Sequence, residues 1–254
     1  MGTYALTGSA SGIGAALAQQ LRDAGHRLIN VDIKDAEVIA DLTTNEGRSS
    51  AIEQITALAP DGLDGFVPLA GLGGGTGHPG RLITALNYFG TVGLTERLRP
   101  LLAARSGAVV LLCSNSAPMS SAEDPLLAPL LDNDESTALS VAEQETGMEY
   151  MAGKRALAVW MRRNAMAYAR QGIRMNAVAP GPIHTPMVDA LFETPGMKET
   201  VNALLSATPI ERMGQPEEVA KAISFLLSSD ASYICGSVLF VDGGFDATSR
   251  PAAL

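Results

Sequence analysis

Thr7-Gly8-Ser9-Ala10-Ser11-Gly12-Ile13-Gly14 follows the short apolar run Tyr4-Ala5-Leu6 and opens a stretch whose apolar residues fall at Ile13, Ala16, Leu17, Leu21 and Ala24. That second period is helical, so the order reads strand, glycine turn, helix. A dinucleotide site requires this context. Glycines at 8, 12 and 14 let the chain turn tightly and approach a pyrophosphate with no Cβ in the way. The helix start adds unpaired N–H groups and a favourable dipole. A plain glycine-rich turn is the competing reading. The cofactor contacts expected here are Gly8, Ser11, Gly12, Ile13 and Gly14.

The next apolar run, Arg27-Leu28-Ile29-Asn30-Val31-Asp32, ends in an acid. Asp32 follows Gly14 at close to the spacing of roughly 20 residues at which a carboxylate holds adenosine ribose hydroxyls. A carboxylate there repels a 2′-phosphate, which predicts NAD(H) over NADP(H), with Ile33 beside it and Lys34 near enough in sequence to blunt the preference. In Ala40-Asp41-Leu42, Asp41 could meet an adenine amino group, with Leu42 alongside, or could be a surface turn carboxylate. Farther on, Tyr150-Met151-Ala152-Gly153-Lys154 sets a phenol and an ammonium one helical turn apart, on one face. A cation beside a phenol favours phenolate and lowers its pKa. Alone the pair is commonplace; downstream of a nucleotide loop it points to proton transfer near neutral pH.

Composition narrows the field. The 254 residues carry a formal net charge of −9, which argues against a nucleic-acid partner. Two cysteines, Cys113 and Cys235, give neither a disulfide framework nor a metal spacing, so no metal is expected. No apolar span reaches the ~18 residues of a membrane helix. Met1-Gly2-Thr3 runs directly into the first strand without a signal peptide, which sets the expectation of a cytoplasmic protein. Strands are expected near 3–7, 27–32, 64–69, 107–113, 173–178 and 237–241, with a short one near 37–40. Alternating with helical segments, they predict one α/β domain over 1–254, a Rossmann-type doubly wound parallel sheet covered on both faces.

The spacing Thr-Gly-x-x-x-Gly-x-Gly, with Asn87-Tyr88-Phe89-Gly90, Cys113-Ser114, Tyr150-x-x-x-Lys154, Ala179-Pro180-Gly181-Pro182-Ile183-His184-Thr185 and Val241-Asp242-Gly243-Gly244 in order behind it, resembles the short-chain dehydrogenase/reductase family over nearly the whole chain. The resemblance implies roles. Ser114 would hold and polarise the substrate oxygen, Tyr150 would be the acid–base group, and Lys154 would bind the nicotinamide ribose and depress the tyrosine pKa. Asn87 resembles the residue that kinks its helix and positions a water in the proton relay. Ala70, Gly71, Pro180, Gly181, Ile183 and Thr185 would join the cofactor contacts, and the partner would be a small hydrophobic alcohol or ketone. His26, His78 and His184 receive no chemical role. A nucleotide-binding regulator that kept the fold without turnover is the reading from another class; the complete set Asn87, Ser114, Tyr150 and Lys154 speaks against it.

Two departures stand out. Leu69-Ala70-Gly71 replaces the family's Asn-Ala-Gly, which puts stability in question more than chemistry. An acidic insertion, about 117–149, separates Ser114 from Tyr150. A short helical elaboration and a disordered acidic loop are its two readings. With Asp35-Ala36-Glu37-Val38-Ile39-Ala40-Asp41-Leu42 and Ala70-Gly71-Leu72-Gly73, the insertion resembles the branch that contains 3α-hydroxysteroid dehydrogenase/carbonyl reductase. Coniferyl-alcohol dehydrogenases are similar through Ala179-Pro180-Gly181-Pro182 and Thr185-Pro186. A substrate loop is expected over about 186–208, broken at Pro195-Gly196, with Ser116, Met119, Pro182, Met187, Leu191 and Phe192 as substrate contacts. Apolar, adaptable methionines there suit a bulky hydrophobic ligand. The family favours homo-oligomers; the insertion would cap one usual interface, leaving a dimer through Pro216–Leu227 and the last strand as the expectation.

Overall fold

Parallel backbone pairing joins every strand of the computed structural model, which describes residues 1–194 and 196–252, into one sheet. Pro195 and the last two residues of the tail lie outside the described residues. In chain order the elements are β1 (Thr3–Thr7), α1 (Gly12–Asp23), β2 (Arg27–Asp32), β3 (Val38–Ile39), α2 (Asn45–Leu58), β4 (Gly65–Pro68), α3 (Gly80–Thr84), α4 (Thr91–Arg97), α5 (Arg99–Ala104) and β5 (Ala108–Leu112). Then follow α6 (Leu127–Leu131), α7 (Glu135–Ala142), α8 (Glu149–Ala169), β6 (Arg174–Pro180), α9 (Pro186–Glu193), α10 (Met197–Ser206), α11 (Pro216–Leu227), β7 (Val238–Val241) and α12 (Phe245–Ser249).

The sheet order is β3-β2-β1-β4-β5-β6-β7, all neighbours parallel. β4 and β5 read as continuous apolar runs because both faces are buried. One face packs Leu17 and Leu21 of α1 and Val219 and Ile223 of α11 on Val67, Val110 and Val178. The other packs Ile55, Phe89, Leu157 and Trp160 on Ile29, Phe66, Val109 and Leu111. β6 runs beyond the expected 178 to Pro180, because Ala179 and Pro180 still pair with Phe240 and Val241 of β7. That extension carries Pro180 to the carboxyl edge of the sheet.

Between α3 and α4 the chain widens into a π turn, Ala85–Gly90, which contains Asn87. The insertion is helical rather than a disordered acidic loop: a 3₁₀ turn at Ala117–Met119, then α6 and α7. Leu126, Leu127, Leu130, Ala138 and Ala142 are buried in the main core with residues of α8. Its acidity is partly structural. Glu135 pairs at 2.7 Å with Arg48 of α2, whose side chain is only 7% exposed, and Glu143 pairs with Arg81 of α3. Breaking a pair that has one buried member leaves that charge uncompensated, so Arg48 and Glu135 tie the insertion to α2.

Candidate active site

A cavity of about 520 Å³ opens along the carboxyl ends of the strands where β2 and β4 flank β1, the point at which the chain reverses direction across the sheet. Open α/β sheets bind ligands at this switch point. The turn after β1 forms one wall. Gly8 has φ +68°, and a methyl group on it would lie 2.6 Å from the backbone nitrogen of Ala70. A methyl group on Gly14 would collide with the carbonyl oxygen of Gly8. The loop is therefore packed backbone against backbone, with Ser11 as N-cap and the first-turn N–H groups of α1 at the wall. Thr7 braces it from beneath: its Oγ1 accepts from Ala70 N–H at 3.1 Å and its carbonyl from Leu69 N–H at 3.1 Å. Leu69 is buried with the apolar residues under α1, where the family's asparagine would stand.

The Asp32 carboxylate is fixed from two sides, accepting from Ala10 N–H at 3.0 Å and Ile33 N–H at 2.7 Å. It and the exposed Ile33 line the cavity. Asp41 and Leu42 line it too, and Asp41 accepts from both the backbone N–H and the hydroxyl of Thr43. The open reading of Asp41 thus resolves to a carboxylate that caps a turn and still faces the cavity.

Ser114, Tyr150 and Lys154 meet at the far end. Lys154 is 5% exposed; its ammonium donates to the carbonyl of Leu112 at 2.7 Å and lies 5.6 Å from the Tyr150 ring centre. Burial pulls its pKa down to about 8. Tyr150 departs from expectation. Its phenol is held above its ordinary pKa, because burial outweighs the neighbouring Ser114 hydroxyl, which pulls the other way. The ammonium sits over the ring and on a carbonyl instead of at the phenol oxygen, so the expected depression is absent here. Cys113 is a buried thiol pushed up to about 12 by desolvation, consistent with a small core residue. Ser114 Oγ accepts from Ser116 N–H at 3.1 Å and lies 2.9 Å from Ser116 Oγ.

Over 257 residues the chain is 38% identical to 3-alpha-hydroxysteroid dehydrogenase/carbonyl reductase of Comamonas testosteroni, covering 99% of each chain. The chain belongs to the short-chain dehydrogenase/reductase family. A family profile described as Enoyl-(Acyl carrier protein) reductase matches residues 134–246. Coniferyl-alcohol dehydrogenase of Pseudomonas sp. (strain HR199 / DSM 7063) is 32% identical, with 96% of each chain covered. Among solved structures, the 3-alpha-hydroxysteroid dehydrogenase of Pseudomonas sp. B-0831 complexed with NADH superposes with a TM-score of 0.96 at 40% identity, covering 99% of this chain and 100% of that one.

Against that family pattern, every residue expected to touch a cofactor lines the cavity, including Ala70, Gly71, Pro180, Gly181, Ile183 and Thr185. Thr185 also caps α9, its hydroxyl accepting from Val188 N–H. Asn87 stands behind the wall: its amide accepts from Leu72 N–H at 2.8 Å and donates to Leu72 C=O at 2.9 Å, clamping the loop after β4. The expected substrate contacts divide. Met187 lines the cavity. Ser116 touches Ser114 instead of the cavity, and Met119 is half-exposed on the following turn. Pro182 faces a second cavity with Arg212 and Phe240. Leu191 and Phe192 stand outside the cavity lining, because α9 turns Met187 and Val188 inward. Several lining residues were not anticipated, among them Thr43, His78, Leu82 and Leu86. Leu82 and Leu86, one turn apart, have the 3.6 period as a readable signal; His78, treated as incidental, has none. His26 accepts from Gly2 N–H, and His184 lies exposed, 4.0 Å from Asp189.

Proposed function

We propose that this chain is an NAD(H)-dependent oxidoreductase that interconverts a bulky hydrophobic secondary alcohol and its ketone, with a 3α-hydroxysteroid as the substrate. The observation that carries the reading is one continuous cavity with a nucleotide-type loop and a fixed carboxylate along one side, a serine, tyrosine and lysine at its end, and Leu82, Met187 and Val188 in its walls. Gly8 to Gly14, Asp32, Asp41 and Thr185 would hold the dinucleotide. Their fit rests on a loop with no room for a side chain at Gly8 or Gly14 and a carboxylate locked toward the cavity. When bound, that cofactor accepts or supplies the hydride.

The chain's own groups do the rest. Ser114 orients the substrate oxygen through its hydroxyl. Tyr150 moves the proton at its phenol oxygen, as donor in ketone reduction and acceptor in alcohol oxidation. Its raised pKa keeps the phenol protonated in the free enzyme, ready as the donor. Lys154 supplies the positive charge that favours phenolate once its ammonium turns from the Leu112 carbonyl. Asn87 holds the loop beside the tyrosine. The names of the Comamonas and Pseudomonas relatives support the steroid class. A homodimer through α11 and β7 belongs to the same reading: Phe225 and Leu239 are exposed there, whereas the insertion covers α8.

The test is absorbance at the NADH band with purified protein and NAD, over a panel of hydroxysteroids beside coniferyl and simple aryl alcohols. Turnover on a 3α-hydroxysteroid is expected. Turnover on aryl alcohols alone would keep the mechanism and overturn the substrate.

A further inference from the structure

The loop between β4 and α3 carries glycine at 71, 73, 74, 75 and 77. Its glycines face functional neighbours on different sides. A methyl group on Gly71 would lie 3.1 Å from Asn87 Oδ1, and one on Gly74 would lie 2.9 Å from Tyr150 Cβ. On Gly73 it would meet Met187 at 2.8 Å from Cγ and 3.3 Å from Sδ; on Gly75 it would meet Met197 Cε at 2.9 Å and Leu191 Cδ2 at 3.5 Å. Distances under 3.0 Å are closer than a real Cβ tolerates, so Tyr150, Met187 and Met197 occupy space that a side chain at 74, 73 or 75 would claim. The substrate loop therefore rests on glycines 73 and 75, while the catalytic tyrosine rests on the glycine between them.

α9 and α10 have little else beneath them. α9 buries no residue and α10 buries only Val201. Met187 is the methionine that both lines the cavity and sits on the loop. Its height above the cavity floor is set by what stands at position 73. A methionine is long and unbranched, so it follows its support instead of resisting it.

We propose that Gly73 and Met187 form a specificity-determining pair: the missing side chain at 73 lets Met187 settle low enough to grip a flat apolar ring system, and the same contact holds the substrate loop closed. This rests on the reading of the cavity as a substrate site. It also gives a reason for a glycine at 73, where the φ lies outside the left-handed region. The requirement is space, not backbone conformation. Gly75, at φ +75°, needs both.

The test is a double-mutant cycle of Gly73→Ala and Met187→Ala, read in two ways. In the wild-type background Gly73→Ala raises KM for the active alcohol about tenfold with kcat little changed, whereas in the Met187→Ala background it changes KM less than about twofold. Hydrogen exchange across 186–194 and 196–206 accelerates on Gly73→Ala and is insensitive to it once Met187 is alanine. Thermal midpoints of all variants stay close to wild type, since alanine at 73 strains no backbone. Equal KM and exchange responses in both backgrounds, or none in either, would overturn the pair. If no alcohol on the panel turns over, the substrate reading fails on its own, and exchange alone decides whether the contact holds the loop closed.

Discussion

The two halves of the cavity are built by different means. The nucleotide half is made of backbone: Gly8 against Ala70, Gly14 against Gly8, Asp32 pinned by two N–H groups, Thr7 bracing the strand beneath. The substrate half is made of side chains resting on a loop, with α9 lacking any buried residue. Backbone packed on backbone leaves no side chain to adjust, so the first half has its shape without a ligand. The second half is held by apolar contacts of a few adaptable side chains, and such segments sit at the low end of local stability. One chain thus joins a fixed nucleotide platform to an adjustable roof, and the catalytic residues stand at the seam.

The sharpest break between the halves is Tyr150→Phe. Removing the phenol oxygen should lower kcat by roughly 10³-fold while NADH affinity, followed by fluorescence titration, stays within about twofold. Parallel loss of binding and turnover would mean that the tyrosine belongs to the nucleotide platform as much as to the chemistry. The next effect concerns stability. Lys154 has a folded pKa near 8 against 10.5 for a free lysine, so the native state binds fewer protons between those values. Its burial penalty is present in full below pH 8 and disappears as pH rises toward 10.5. Relative to wild type, Lys154→Met should lose roughly 2–3 kcal/mol of its stability advantage between pH 7 and pH 10, as read from denaturant midpoints at each pH. A gap independent of pH would show that the ammonium is not desolvated.

The smallest effect expected is at Ser116. Its N–H occupies one lone pair of Ser114 Oγ; when its hydroxyl donates to the other, the Ser114 proton is left for the substrate oxygen. Ser116→Ala should lower kcat about tenfold with KM within about twofold, the size of one lost hydrogen bond, and Ser116→Thr should restore most of it. Equal losses in both variants would assign Ser116 to the fold of the turn alone.

How much of this was legible follows the same division. The strand positions and the parallel doubly wound order were readable, and the glycine spacing and the acid ending β2 pointed to residues that line the cavity, because both are backbone requirements written in residue type; Pro180, Gly181 and Thr185 came instead from the family resemblance. The insertion's helices were readable only as an alternative; what decides them is Arg48, far away in sequence, reaching Glu135. Leu191 and Phe192 misled because hydrophobic periodicity marks an apolar face without saying which turn of it looks inward. Lys154 and Tyr150 were correctly paired, yet the direction of the tyrosine shift depends on burial and on the Leu112 carbonyl, which no spacing reveals.

The π turn at Ala85–Gly90 has a consequence for the helix that contains it. A π turn takes up more residues per revolution than an α turn, so it acts as a phase shifter along a single rod. Leu82 upstream and Leu86 at the start of the turn answer to the cavity; downstream, Val92, Leu94 and Leu98 answer to the sheet. The two faces of this helix are thus out of step through one local underwinding, and Asn87, seated at the phase boundary, is the residue that clamps the loop on which the roof rests.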